Sequence, residues 1–429
     1  MLRSSFPWRD RLTLWTGAIL LAPIVAVGIL GLTQLINLIR SANPQVDFGT
    51  YYLAGAILDS SDPDELYSMG RLEREAAKRG MSHVVEAGRT GPYLYPPFLA
   101  VLMRPVSRMS YSLAETGWLW FNLFMILLSI PPLVMWNARQ RPGIGMWLAI
   151  LLTVVLYTPG HSALVIGQIT PLELFALSWV FGLLVNKTLA KHRAAQIVAG
   201  WLIGLASIIK LFPILLIVLL LWKRQFRVVG WTILSLGVYL LIGVLGGGLS
   251  NTVHFFVSFL PSFYGESVYH SLLNNQSFSA TLVRWLGPGS LIPYLSLAYT
   301  GVILGTTCLG LVHSRRARQD DERLALEFAL VLTSSILTLT HIALHYYLLL
   351  LIPMSALWFS PGTSSRLRVV SVLGSMALIC AHTISMASLV FEGLGRALPF
   401  GLMAVLSIWG GLVARVGWAA QPCALEVQR

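Results

Sequence analysis

The sequence predicts an all-α polytopic membrane protein, and three observations predict it. Of the 429 residues, 56% are hydrophobic and only 11% are charged, whereas soluble proteins carry about 25% charged residues. Apolar stretches of about 20 residues recur along the chain, separated by short charged clusters. The alternating segments of roughly ten residues that a membrane β-barrel requires are missing.

The first apolar run, residues 12–38, has no small-residue cleavage site and is too long for a signal-peptide core, so it reads as a retained helix. With the N-terminal MLRSSFPWRDR on the cytoplasmic side, alternate loops become NARQRPG (137–143), NKTLAKHR (186–193), WKRQFR (222–227), HSRRARQDDER (313–323) and SPGTSSRLR (360–368). Most of the Lys and Arg then lie inside, as orientation signals do. That same clustering explains the net charge of +12 without nucleic acid, because no basic face or aromatic platform accompanies it. About twelve spans result, with both termini cytoplasmic and residues 416–429 as a tail. The segments 144–159, 170–186, 195–210 and 212–222 are short and interrupted by Gly and Pro. They predict kinked helices around a cavity, since irregular backbone cannot face lipid.

The first outer loop, 43–111, is long. Its DSSDPDELYSMGRLEREAAKRG (59–80) predicts one or two amphipathic helices at the membrane surface, with Asp62-Pro63-Asp64 as a helix start. In Tyr93-Leu94-Tyr95-Pro96-Pro97 the prolines predict a rigid extended approach to the next helix. No fixed-period repeat or linker is visible, so 1–429 reads as one membrane domain. The three cysteines show no metal-type spacing and do not suggest a disulfide framework. No Walker A loop is present, and GVLGGGLS (243–250) lacks a following Lys, which argues against a nucleotide-sugar donor.

Polar groups in apolar surroundings gather on the predicted outer face. Asp47 ends the first span, in VDFGTYYLAG. Gln168 and Glu173 lie in GQITPLELFAL, Lys210 in SIIKLFPILL, Asn274, Asn275, Gln276 and Arg284 in NNQSFSATLVR, and His341 and His345 in LTHIALHYYLL. Each has a bland reading: a snorkelling Lys, a satisfied core His, an amide joining two helices, a helix cap. Together they outweigh those readings, because intramembrane ionisable groups cost about 2.5–3.5 kcal/mol each and therefore line polar cavities. A Lys, an Arg and two His suit a phosphate headgroup. One carboxylate beside them suits proton abstraction.

The ordered motifs D-F-x-x-Y-Y-x-A-G (Asp47 to Gly55), Y-x-Y-P-P (Tyr93 to Pro97), G-Q-x-x-P-L-x-L (Gly167 to Leu174), G-x-A-x-x-x-K-L-F-P (Gly204 to Pro213) and N-Q-S (Asn275 to Ser277), followed by His345, resemble glycosyltransferase family 87 of the GT-C superfamily. The late motif departs from the family's common S-P-x-S-W-x-H-H; here it reads TLTHIALH (338–345), without the Pro and Trp. The resemblance implies a GT-C fold in the inner membrane and a periplasmic active site. It also implies a polyprenyl-phosphate-sugar donor such as a lipid-linked mannose, and an acid in the first outer loop as catalytic base, which falls on Asp47.

The residues are consistent with that chemistry. A glycoside hydrolase needs a second carboxylic acid to protonate its leaving group. A phosphate leaves readily once cations stabilise it, so one carboxylate suffices. Asp47 would then deprotonate an acceptor hydroxyl on a lipid or glycan, with inversion at the anomeric carbon. Lys210, Arg284, His341 and His345 would hold the donor phosphate. Tyr51, Tyr52, Tyr95, Gln168, Asn275 and Gln276 would contact sugar or acceptor, although aromatic residues also form interfacial belts. No metal is required by this logic, which leaves room for a divalent ion. The competing class is a transporter or flippase of lipid-linked sugars, which predicts two pseudo-equivalent halves with broken helices; none is visible in the sequence.

Overall fold

The computed structural model describes residues 24–33, 45–60, 65–85, 92–136, 156–265, 274–314, 321–387 and 398–418, with a few isolated positions between them. Both termini, most of the 12–38 run, the 137–143 loop, much of 144–159 and most of the 416–429 tail lie outside these residues. All regular structure among the described residues is helical. Four helices are long and apolar enough to cross a membrane: Tyr111–Met135, Phe226–Gly247, Leu291–Ser314 and Ser365–Ser385. Shorter apolar helices, among them Pro97–Ser107, Thr170–Val185, Arg193–Ile209 and Phe400–Val416, accompany them. This is the architecture of a polytopic helical membrane protein.

The chain divides into two compact units. One comprises Thr33–Pro132 with Pro159–Ser267; the other comprises Met1–Leu32, Leu133–Thr158 and Val268–Arg429. In the first, the helix Val46–Leu58 packs on Pro97–Ser107, which packs on Phe226–Gly247, and Arg193–Ile209 lies against both Phe226–Gly247 and Thr170–Val185. In the second, Phe400–Trp418 is the central helix, contacted by Leu291–Ser314, Asp321–Leu337 and Gly374–Ala387.

Two expectations for the outer loop change. Asp47 does not end the first span; it lies in the first turn of a separate helix, Val46–Leu58. Every residue of that helix from Phe48 to Leu58 is buried, because a helix without a polar face must be enclosed. Each buried Phe, Leu or Ile there contributes about 1.5–3 kcal/mol. Gly55 permits a close approach of two backbones: a Cβ at this position would lie 2.6 Å from the backbone carbonyl carbon of Met103. Nor does Asp62-Pro63 start a helix; Asp64 lies outside the described residues. The next one is Met69–Lys78, whose N-cap Ser68 accepts a hydrogen bond from the Arg71 amide. A hydroxyl at the cap satisfies one of the amides left open at a helix start. This helix is amphipathic, burying Arg71, Leu72, Glu75 and Ala76 at helical spacing.

The expected extended approach is present: Pro96 has ψ 156° and Pro97 opens the Pro97–Ser107 helix. Of the segments expected to be kinked, Thr170–Val185 and Arg193–Ile209 run as unbroken helices, and irregular backbone appears beside them. Lys210 breaks the chain between Arg193–Ile209 and the 3₁₀ turn Phe212–Leu215, and His345 lies in the 3₁₀ turn Leu344–Leu350.

Candidate active site

The site is built on a junction that its local sequence specifies. The helix Thr158–Ile166 stops at Gly167, which takes φ +70°, a conformation that costs a residue with a Cβ but not glycine. The Gln168 amide donates to the Ala163 carbonyl at 2.8 Å and the Gly167 amide to Leu164 at 3.3 Å. That pair is a Schellman stop. Two residues on, Thr170-Pro171 begins the helix Thr170–Val185, since a proline in the first turn loses no intrahelical bond. Gln168 is thus displayed between two helix ends.

One stripe of the Tyr111–Met135 helix grips this junction. Trp118 Nε1 donates to the Gly167 carbonyl at 2.8 Å and Asn122 Nδ2 to the Gln168 carbonyl at 3.0 Å. Glu115 accepts the Gln45 amide at 2.7 Å. Residues 115, 118 and 122 are spaced to share a face. Phe48 stacks on Trp118 at 5.3 Å and on Tyr111 at 5.9 Å, so the same stripe holds the turn that carries Asp47.

Asp47 and Gln168 meet there. Gln168 Nε2 donates to Asp47 Oδ2 at 2.8 Å. Gln168 Oε1 accepts from the Tyr51 and Tyr95 hydroxyls, each at 3.1 Å, and from the Ile169 amide at 3.1 Å. The two phenols are also 3.1 Å from each other. Asp47 is half-buried and lies outside the candidate spans. Burial pushes its pKa up to about 6, against the opposing pull of the Gln168 hydrogen bond and the Lys210 charge. A carboxylate poised near neutrality suits proton transfer.

Lys210 belongs to the same unit and is already engaged. Its Nζ lies 3.2 Å from Glu173 Oε2 and 2.9 Å from Thr170 Oγ1. Glu173 is fully enclosed, and a buried carboxylate requires such a partner. Of the expected site residues, the structure therefore brings together Asp47, Tyr51, Tyr95, Gln168 and Lys210. Tyr52 points elsewhere, donating to the Met109 carbonyl at 2.7 Å with the Arg79 guanidinium over its ring.

The remaining expected residues lie in the second unit. Asn275 clamps the segment before the 3₁₀ turn: its Oδ1 accepts the Ile342 amide and its Nδ2 donates to the Thr340 carbonyl, both at 3.1 Å. The Gln276 amide donates to the Ile342 carbonyl at 2.8 Å, and its Oε1 accepts the Gly401 amide at 3.2 Å. Arg284 donates to the Asn275 carbonyl at 2.6 Å and to Thr281 Oγ1 at 3.3 Å. These bonds fasten the NQS motif to the segment containing His341, which is half-buried. His345 is buried beside the Tyr346 ring. Among the described residues, no three His, Cys, Asp or Glu side chains converge as a metal site would require.

The profile of glycosyltransferase family 87 matches residues 93–340, more than half of the chain. The chain belongs to glycosyltransferase family 87. It is accordingly a membrane glycosyltransferase, with a sugar donor and an acceptor as its substrates. No curated protein and no solved structure matches it. Within the matched stretch of this family 87 transferase lie Tyr95, Gln168, Glu173, Lys210, Asn275, Gln276 and Arg284; Asp47, His341 and His345 fall outside it.

Sequence reasoning passed over Trp118, Asn122 and Glu115, which hold the junction. The two aromatic and amide groups sit in an apolar run where they look like ordinary span residues. Their spacing of four was the one available signal.

Proposed function

We propose that this transferase moves a hexose, mannose by the family resemblance, from a polyprenyl-phosphate sugar to a lipid or glycan acceptor. The reaction takes place at the periplasmic face of the inner membrane. Asp47 takes the proton of the acceptor hydroxyl. The acceptor oxygen forms its bond to the anomeric carbon as the bond to phosphate oxygen breaks, and polyprenyl phosphate leaves with the electron pair. The configuration inverts.

One observation supports this most: a half-buried carboxylate with its pKa near 6, fixed by an amide donor and close to a buried cation. Lys210, Arg284, His341 and His345 supply positive charge and donors for the departing phosphate. Asn275 and Gln276 fasten the segment that carries His341; Tyr51 and Tyr95 are the aromatic groups for the sugar.

The test is Asp47→Asn in membranes supplied with radiolabelled polyprenyl-phosphate mannose. The expected result is loss of transfer by about two to four orders of magnitude, the contribution of a general base. Transfer at the parent rate by the nearly isosteric variant would remove Asp47 from this role.

A further inference from the structure

The side chain of Gln168 has two chemically distinct ends, and the structure commits each of them. Three donors surround Oε1: the Tyr51 hydroxyl, the Tyr95 hydroxyl and the Ile169 backbone N–H, all at 3.1 Å. A backbone N–H can only donate, so the atom facing it must be the oxygen, and the amide cannot be flipped without losing that bond. Nε2 is therefore directed at Asp47, where it donates to Oδ2 at 2.8 Å. Both tyrosine rings are buried, Tyr51 at 1% and Tyr95 at 8% exposure, and cross edge-to-face at 5.2 Å. Their hydroxyls are thus held where they meet the amide. The peptide carbonyl of Gln168 is held in turn by Asn122, and the preceding carbonyl by Trp118.

We propose that Gln168 is a positioning residue for proton transfer: its Nε2–H fixes Oδ2 of Asp47 and directs the other carboxylate oxygen, Oδ1, at the acceptor hydroxyl. This rests on Asp47 being the base. It replaces the sugar contact that the sequence suggested for Gln168 with an indirect role. Among the described residues no hydrogen bond is made to Oδ1, so a proton arriving there displaces no existing partner. A donor on one oxygen also stabilises the ionised form, so the same contact keeps the base available at neutral pH despite its enclosure. The arrangement is an amide wedge between a tyrosine pair and a carboxylate, assembled from three separate segments. The other ionisable groups facing this cluster are Lys210 at the end of Arg193–Ile209, Glu173 on Thr170–Val185, Tyr51 on the Asp47 helix, Tyr95 before Pro97–Ser107, and Glu115 on Tyr111–Met135. All of them are unchanged in the variants below.

The experiment titrates Asp47 directly, by the infrared carbonyl band of its protonated carboxyl in the purified full-length chain. The band is assigned by its disappearance in Asp47→Asn. The parent midpoint is expected at about 6. Gln168→Leu removes the donor and is expected to raise the midpoint by about one unit, a tenfold loss of ionised base at fixed pH. Gln168→Glu keeps the shape and the Oε1 acceptor but places a second carboxylate there, and is expected to raise the midpoint further. It also serves if the Leu variant fails to fold. Transfer from radiolabelled polyprenyl-phosphate mannose, measured in parallel, should show the acid limb moving by the same amount with an unchanged donor KM.

A midpoint unmoved in both Gln168 variants overturns the positioning role, and so does a raised donor KM with an unmoved acid limb, which would return Gln168 to sugar contact. Loss of transfer in Asp47→Asn combined with an unmoved Gln168 midpoint sinks only the positioning. Retained transfer in Asp47→Asn sinks the base reading beneath it.

Discussion

A base held above its ordinary pKa is held at the expense of stability, and Asp47→Asn should expose this. The pKa of Asp47 rises from 3.8 to about 6 on folding, so the folded chain binds the proton more tightly than the unfolded chain. Below pH 4 the group is protonated in both states and contributes nothing. Between about 4 and 6 the folded state retains a proton that the unfolded state has released. Above 6 both are ionised, and the folded protein carries the full penalty of an enclosed carboxylate. A shift of about two units corresponds to about 3 kcal/mol at 1.36 kcal/mol per unit; partial solvent access makes that an upper bound. Asn has nearly the same shape, no charge, and an oxygen that still accepts from Gln168. The variant should therefore unfold a few degrees higher than the parent at pH 8, with the difference vanishing by pH 4. Thermal unfolding of both proteins in detergent, followed by intrinsic fluorescence across that pH range, gives the answer. An Asp47→Asn protein no more stable than the parent at pH 8, or a difference independent of pH, would refute the reasoning.

Two further outcomes follow from the same geometry. Gly167→Ala should destabilise by about 1–3 kcal/mol and sharply reduce transfer, because φ is +70° and the new Cβ would lie 2.7 Å from Phe48 Cβ; Gly301→Ala, where a Cβ meets nothing within 4 Å, should be near neutral by thermal melting. Lys210→Met should cost about 3–5 kcal/mol by leaving Glu173 buried without its partner, while Lys210→Met with Glu173→Leu should recover most of that loss in a double-mutant cycle. The double variant, folded but without the cation, should use lipid-linked donor poorly; donor use equal to the parent's would remove Lys210 from phosphate binding.

Much of the architecture is legible along the chain because its causes are local. Apolar length and low charge decide that helices span a membrane. In Gly167-Gln168-Ile169-Thr170-Pro171, glycine ends one helix and proline begins the next, so the display of Gln168 follows from five adjacent residues. The motif beginning at Asp47 likewise marks the acid before any fold is known. Composition misled where it described a neighbourhood only in outline. Asp62-Pro63-Asp64 looked like a helix start, but Ser68 sits one residue before the first turn and caps it. Asp47 looked like the end of a span, yet it opens a helix that is buried on every side.

The partnerships belong to the tertiary structure. Lys210 and Glu173 stand 37 positions apart and Asp47 and Gln168 stand 121 apart, separations at which no periodicity links residues. The same distance hides why Tyr51 and Tyr95 are buried: each hydroxyl has a use only once Gln168 arrives between them. A carboxylate's pKa depends on how many protein atoms replace water around it and on which donors reach it, and both are set by packing. The chain order therefore named Asp47 as an acid; burial by the packed structure raised that acid's pKa to about 6, against the opposing pull of Gln168 and Lys210.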